Sequence, residues 1–168
     1  MPINQHAIRL FASSLRVAFS DQHDLQARSL NQQAVWLACC DLGNVPHGAS
    51  HGIGYILGSL CGVPHGYTSC VMLPAVLEWN RGWLRDEQAI IDAFGGIASS
   101  AAACVSALVD KLGLPKTLAD VGVAKEQLPE IASRAIKHPV VRRNPRPVQN
   151  EQQLLEILQL AWDGISPH

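Results

Sequence analysis

The sequence predicts an all-α protein, a single helical domain that spans residues 1–168. Apolar residues recur at steps of three and four along most of the chain, which is the period of an amphipathic helix. No stretch alternates apolar and polar residues as a half-buried strand would. Internal repeats and low-complexity linkers are also missing from the sequence, and its length can bury about two-thirds of the unfolded surface. One helical core is therefore expected.

The first half of the chain predicts four helices. The first carries its apolar stripe between residues 7 and 18, and the second begins after Asp24, a residue type that favours the N-cap. A third helix starts at Ala49 and is stopped by the Gly-Val-Pro sequence at 62–64. The fourth covers 67–79, with a kink or break near Pro74. We expect Trp79 and Trp83 to pack in the core.

The second half predicts four more helices and one extended segment. Helical patterns cover 86–94, 97–112 and 127–137, with a short capped turn at 117–120. Three prolines between 139 and 147 predict an extended segment. Asn150 followed by Gln153 has the pattern of a capping box for the last helix.

The charge balance excludes two classes of partner. Thirteen basic and fourteen acidic residues give a net charge of −1, so no strong field favours nucleic acid or an anionic membrane surface. No apolar run approaches the roughly 20 residues that a membrane span requires. A cytoplasmic protein is expected, since the first twenty residues also lack a signal-peptide core.

Three of the seven histidines, His47, His51 and His65, lie in one short segment. On a helix, His47, His51 and Tyr55 recur every four residues and form a stripe with a spacing of about 6 Å. Such a pair of imidazoles can bind a divalent metal, although the same stripe also suits polar groups satisfied in a helix interface. A turn at 62–64 would bring His65 back beside the helix that carries His51.

The sequence around these histidines resembles the signature of the iron-containing alcohol dehydrogenases. Residues 51–58 read His-Gly-Ile-Gly-Tyr-Ile-Leu-Gly, residues 62–67 read Gly-Val-Pro-His-Gly-Tyr, and 72–74 read Met-Leu-Pro. The family pattern is His-Gly-x-x-His-x-Leu-Gly, then Pro-His-Gly, then Leu-Leu-Pro-His, with the same spacing of fourteen from the first histidine to the Pro-His histidine. Segments 24–29 and 144–148 also resemble the family, especially its maleylacetate reductase branch, so the resemblance covers nearly the whole chain.

The resemblance implies both a fold and a chemistry. The chain would be the C-terminal helical domain of these enzymes, related to the helical domain of dehydroquinate synthase, present without the N-terminal nucleotide-binding domain. His51 and His65 would bind a divalent metal, iron or zinc, and Tyr55 would lie toward the reacting carbonyl as a proton donor. NAD(P) would bind only if another chain supplied a nucleotide-binding domain, and we also expect a homo-oligomer.

The chain departs from the family pattern at three places. Tyr55 stands where the family has a histidine, and an unperturbed phenol, with a pKa near 10, is a poorer base than imidazole at neutral pH. Ala75 replaces the histidine of Leu-Leu-Pro-His. Two further family ligands, an aspartate and a histidine four residues later, precede the region where this chain begins. His47 has no ligand role in the family pattern.

Three hypotheses for function follow. The first is an NAD(P)-dependent alcohol dehydrogenase or maleylacetate reductase completed by a separate chain. The second is a non-catalytic helical remnant that self-associates through exposed apolar surface. The third is an unrelated zinc protein that uses His47, His51 and His65. Arg142, Arg143 and Arg146 are either binding groups for substrate carboxylates or a solvated basic surface.

Overall fold

The computed structural model describes residues 3–40 and 45–166, and within these ranges every regular element is helical. The predicted all-α class is therefore confirmed. The described residues form eight α-helices: α1 (Ile3–Ser20), α2 (Leu25–Cys39), α3 (Ala49–Cys61), α4 (His65–Trp79), α5 (Glu87–Ala93), α6 (Ala101–Lys111), α7 (Leu128–Ala135) and α8 (Glu151–Asp163). Short 3-10 turns cover Ala119–Val121, Lys125–Gln127 and Val141–Arg143. None of the described helices is long and apolar enough to cross a bilayer.

Two helix starts follow the N-cap chemistry that the sequence predicts, although the side chain of Gln153 accepts from the amide of Gln149 and not from that of Asn150, as a capping box requires. Asp24 accepts a hydrogen bond from the amide of Ala27 at 2.8 Å, and Asn150 accepts one from Gln153 at 3.0 Å. These bonds satisfy amides that have no partner within the first turn of a helix. The predicted helix from residue 97 begins later, at Ala101, because the hydroxyl of Ser100 caps it.

Two other sequence predictions are wrong. Trp83 was expected in the core, but 56% of its surface is exposed because it lies in the turn after α4, whereas Trp79 is buried at 5%. The segment 139–147 is not extended throughout, since Val141–Arg143 forms a 3-10 turn between its prolines. Of the kink or break predicted near Pro74, the break does not occur, since helix α4 continues through this proline.

The main core lies between α3, α4, α7 and α8. Helix α4 packs on α3, α6 and α8, and α7 packs on α3 and α8. The largest side chains that are completely buried come mostly from these helices: Ile53, Leu57, Met72, Leu118, Ile131, Leu154, Ile157 and Leu158. Helix α3, which carries His51, is thus anchored in the best-packed part of the molecule.

Helices α1 and α2 form a separate pair that adds little to this core. They pack on each other, and α1 contacts α5. The residues they bury are small, namely Ala7, Ser14, Ala27 and Ala34. Several of their large apolar side chains face outward, with exposed fractions of 62% for Phe19, 78% for Leu25 and 69% for Trp36.

A buried pair of amides joins the segment after α7 to the start of α3 and the end of α4. The Nδ2 group of Asn144 donates to Oδ1 of Asn80 at 2.7 Å and to the carbonyl of Arg146 at 2.8 Å. Its Oδ1 accepts from the amide of Ala49 at 3.2 Å and from Nδ2 of Asn80 at 3.4 Å. Every hydrogen-bonding position of the Asn144 side chain is therefore used, inside the protein.

The same segment is attached to the end of α4 through Arg146. Its guanidinium donates to the carbonyl of Trp79 at 2.6 Å and lies 3.9 Å from the centre of the indole ring. Trp79 Nε1 in turn donates to Glu156 at 3.1 Å, which reaches α8. Arg146 is thus engaged within the protein, while Arg142 and Arg143 are exposed.

We predict that Asn144→Ala lowers the free energy of unfolding by about 2–4 kcal/mol, because it strands buried partners on Asn80 and Ala49. Asn150→Ala, which removes an exposed cap of the same residue type, is the matched control and should cost about 1 kcal/mol. Urea unfolding followed by circular dichroism measures both. A double-mutant cycle with Asn80→Ala should show coupling of about 0.5–3 kcal/mol. Equal losses for Asn144→Ala and Asn150→Ala, with additive effects in the cycle, would contradict the role of the buried pair.

Candidate metal-binding arm

Helix α3 begins at Ala49, with Gly48 as an N-cap that has no side chain to offer. The oxygen of Asn144 takes over this function from a distant part of the chain by accepting from the Ala49 amide. His51 lies two residues later, so its position depends on how this helix start is held. His47 precedes the helix, contrary to the stripe of three that its spacing predicts.

Helix α3 also approaches its neighbours very closely at two glycines. A Cβ at Gly52 would lie 2.5 Å from Cγ2 of Val141, and a Cβ at Gly54 would lie 3.0 Å from Oγ1 of Thr68. Because Gly52 has no side chain, the 3-10 turn Val141–Arg143 can pack directly against α3, and Gly54 allows helix α4 to do the same. These contacts press the helix that carries His51 against both elements.

The connection between α3 and α4 has the form that the sequence predicts. Gly62 ends α3 in the left-handed region, with φ of 69°, and Pro64 precedes the first residue of α4. Helix α4 then packs back on α3. His65 is the first residue of α4, and it is exposed.

The three histidines are electrostatic neighbours. The rings of His47 and His51 have centroids 4.4 Å apart and are tilted by 58°. Burial lowers the pKa of His51, and the charges of His47 and His65 lower it further. A lowered pKa keeps the His51 imidazole neutral at neutral pH, and the neutral ring is the form that binds metals.

The donor set in the described residues is incomplete for a metal site. Within these residues, no group of three or more His, Cys, Asp or Glu side chains is arranged to bind one ion. His47, His51 and His65 thus do not form the three-histidine site of the zinc hypothesis. Imidazoles are suitable ligands for iron and zinc, so the pair His51 and His65, here called the metal-binding arm, fits as part of a site that needs further ligands.

Tyr55 lies one helical turn beyond His51, with 48% of its surface exposed. Its ring faces that of His138, with centroids 5.3 Å apart and a tilt of 35°. The segment that follows α7 supplies His138. Sequence patterns did not single out His138 or Asn144 as functional, because both meet α3 through contacts between distant parts of the chain.

The close contact at Gly52 leads to a prediction. Gly52→Ala should destabilise the protein by roughly 1–3 kcal/mol, because the added methyl group overlaps Val141. Gly58→Ala is the matched control in the same helix, since its nearest neighbour would be the Val63 carbonyl at 3.7 Å. There the better helix propensity of alanine should stabilise the fold by up to about 1 kcal/mol. Thermal unfolding checks both, and a stabilised Gly52→Ala variant would show that the contact with Val141 is loose.

The lowered pKa of His51 predicts a pH effect on stability. Between the folded pKa and the unfolded value of 6.5, the unfolded chain binds more protons than the folded chain. The free energy of unfolding should therefore fall as the pH drops through this window, and His51→Gln should flatten the fall. His6→Gln, at an exposed position in α1, is the matched control. The measurement is urea unfolding from pH 7.5 to about pH 5. Identical pH profiles for His51→Gln and the parent chain would contradict the prediction.

Comparisons with known proteins agree with the signature around the histidines. The model of the Fe-containing alcohol dehydrogenase family, C-terminal part, matches residues 2–162. Maleylacetate reductase from Burkholderia cepacia is 32% identical over 166 residues, an alignment that covers 97% of this chain and 45% of that protein. 1,3-Propanediol dehydrogenase from Klebsiella pneumoniae is also 32% identical, with 93% and 43% covered.

Solved structures show the same relation in three dimensions. An alcohol dehydrogenase from Ralstonia eutropha JMP134 superposes with a TM-score of 0.88 at 32% identity, covering 98% of this chain and 46% of that one. Maleylacetate reductase from Agrobacterium tumefaciens gives a TM-score of 0.86 at 26% identity, with 99% and 47% covered. The chain spans less than half the length of these relatives. The resemblance to the family is confirmed, and the chain belongs to the Fe-containing alcohol dehydrogenase family, whose C-terminal helical part it matches.

Proposed function

We propose that this chain is the metal-binding half of an NAD(P)-dependent oxidoreductase of the alcohol dehydrogenase and maleylacetate reductase type. The observation that carries the proposal is the pairing of His51 on α3 with His65 on α4, at the spacing of the family signature. Burial and the neighbouring histidines lower the pKa of His51, which favours the neutral, metal-binding form of its imidazole. In the proposal, a separate partner chain supplies the nucleotide-binding half and the remaining metal ligands.

The residues of this half have distinct tasks in the proposed reaction. A divalent iron or zinc ion bound with the help of His51 and His65 would polarise the substrate carbonyl. Tyr55, one turn further along α3 and half exposed, would donate the proton that the carbonyl oxygen takes up. The substrate class follows the names of the relatives, maleylacetate reductase, 1,3-propanediol dehydrogenase and lactaldehyde reductase, and is therefore a small carbonyl compound or its alcohol.

A second candidate function is a self-associating helical module without redox activity. Two observations favour it. The described residues contain no complete metal-ligand group, and α1 and α2 expose the large apolar side chains of Phe19, Leu25 and Trp36. Under this candidate function, these side chains would belong to one apolar patch that a second copy of the chain covers. The homo-oligomer expected from the sequence belongs to either candidate function.

Metal binding tests the proposal on the chain itself. Titration of the metal-free protein with Zn²⁺ or Fe²⁺ in a calorimeter should show one site per chain. His51→Ala and His65→Ala should each weaken metal binding by more than about 10-fold, because even the loss of a residue that hydrogen-bonds to a metal ligand costs roughly that much affinity. His47→Ala is the matched control and should bind like the parent chain. Equal losses in all three variants would favour the zinc hypothesis, and no binding by the parent chain would favour the helical module.

Catalysis is tested in a chimera. Residues 2–162 replace the matching part of the maleylacetate reductase from Burkholderia cepacia, which supplies the nucleotide-binding half. We expect NADH oxidation with maleylacetate or lactaldehyde, and its loss in the His51→Ala and His65→Ala variants. A folded chimera that binds metal and NADH but reduces neither compound would contradict the catalytic part of the proposal.

A further inference from the structure

Tyr55 and His138 form the third contact of a regular register between α3 and the segment 138–144. The first two contacts are those of Ala49 with Asn144 and of Gly52 with Val141. Each step of three residues forward along α3 meets a step of three residues backward along the segment. The ring contact at Tyr55 is therefore set by packing on both sides and is not an isolated surface encounter.

The backbone around His138 is held in place. Its amide donates to the carbonyl of Ala135 at 3.0 Å, and its carbonyl accepts from the amide of Val141 at 3.1 Å. Val141 is fully buried against Gly52. The amide of Val140 donates to Nδ1 of His138 at 3.3 Å, so that in the neutral ring the proton is on Nε2.

Within the described residues, the phenol of Tyr55 makes no hydrogen bond that would hold it in the same way. Tyr55 is 48% exposed, and its ring lies against the ring of His138. Centroids 5.3 Å apart lie within the range of favourable offset aromatic contacts. A half-exposed side chain otherwise samples several rotamers, and only some of them point the hydroxyl in one direction.

We propose that His138 is a positioning residue for Tyr55. The fixed imidazole holds the phenol in one orientation beside the arm formed by His51 and His65. This inference rests on the proposed function, in which hydride from reduced nicotinamide goes to the carbonyl carbon and the Tyr55 hydroxyl gives its proton to the carbonyl oxygen. The phenolate then regains a proton from the solvent, so that one carbonyl, one reduced nicotinamide and one proton give one alcohol and one oxidised nicotinamide.

The arrangement also accounts for the departure of this chain from the family signature. Where the signature has an imidazole on α3, this chain has a phenol, and an imidazole lies beside that phenol on another segment. A phenol is longer than an imidazole and reaches further from α3. Its hydroxyl is therefore more sensitive to rotation of the side chain, and a neighbouring ring that restricts this rotation has a larger effect on where the proton is delivered.

The contact can be tested in the 168-residue chain because it contains only two tyrosines. In a Tyr67→Phe background labelled with 3-fluorotyrosine, a single fluorine resonance reports on Tyr55. His138→Ala should move and sharpen this resonance, because the ring loses its neighbour and gains freedom. His138→Phe keeps an aromatic ring and should restore the broader line. Lys137→Ala, at the exposed neighbouring position, is the control and should change nothing.

The positioning role is tested in the chimera. His138→Ala should lower kcat by roughly 10–100-fold with little change in KM, since a displacement of about 1 Å can cost that much. His138→Phe should recover most of the loss. A fluorine resonance that ignores His138→Ala overturns the inference whatever the activity. If the resonance responds to His138→Ala while kcat stays unchanged, the ring contact exists but the positioning role is overturned. If the parent chimera is inactive, the proposed function fails and the positioning role fails with it, while the resonance still decides the contact.

Discussion

The buried side chain of Asn144 is the interaction on which the candidate site depends. It joins three parts of the chain, the start of α3, the end of α4 and the segment after α7, through four hydrogen bonds. A buried amide is favourable only when all of its polar atoms find partners, and unpaired it would destabilise the fold by a few kcal/mol. The network therefore holds the start of α3 in one geometry. This geometry also sets the position of His51, because His51 lies two residues beyond the bonded amide of Ala49.

The protein is built unevenly around this point. On one side, α3 is fixed by a polar network, by close glycine contacts and by completely buried side chains such as Ile53 and Leu57. On the other side, α1 and α2 bury only small residues and leave Trp36 and Leu25 exposed. Close packing is thus concentrated around α3, the helix that carries His51, as the proposed function would require of a site that holds ligands at fixed distances. The α1 and α2 pair instead has the character of a surface that another protein could cover.

The sequence predicts most of the fold because helices are specified locally. Apolar periodicity and caps such as Asp24 and Asn150 identify the helices, and the structure confirms them. The errors arise where contacts between distant parts of the chain override local patterns. Trp83 lies in an exposed turn, and α3 begins only after Gly48, so His47 lies outside the helix. The signature predicts His51 and His65 as ligands, which stays a prediction. Asn144 and His138 could not be found in this way, because they act on α3 across long stretches of sequence that periodicity does not connect.

The chemistry of the two imidazoles indicates what the rest of the site must supply under the proposed function. Neutral imidazoles bind a divalent cation without compensating its charge, and the lowered pKa of His51 favours this neutral form. No third His, Cys, Asp or Glu completes a ligand group within the described residues. A cation bound by this arm alone would keep its full charge at a half-exposed surface, where water competes for the open positions. An anionic donor from outside the chain would both complete the coordination and offset the charge, so the affinity of this half for metal and its affinity for a partner should be coupled.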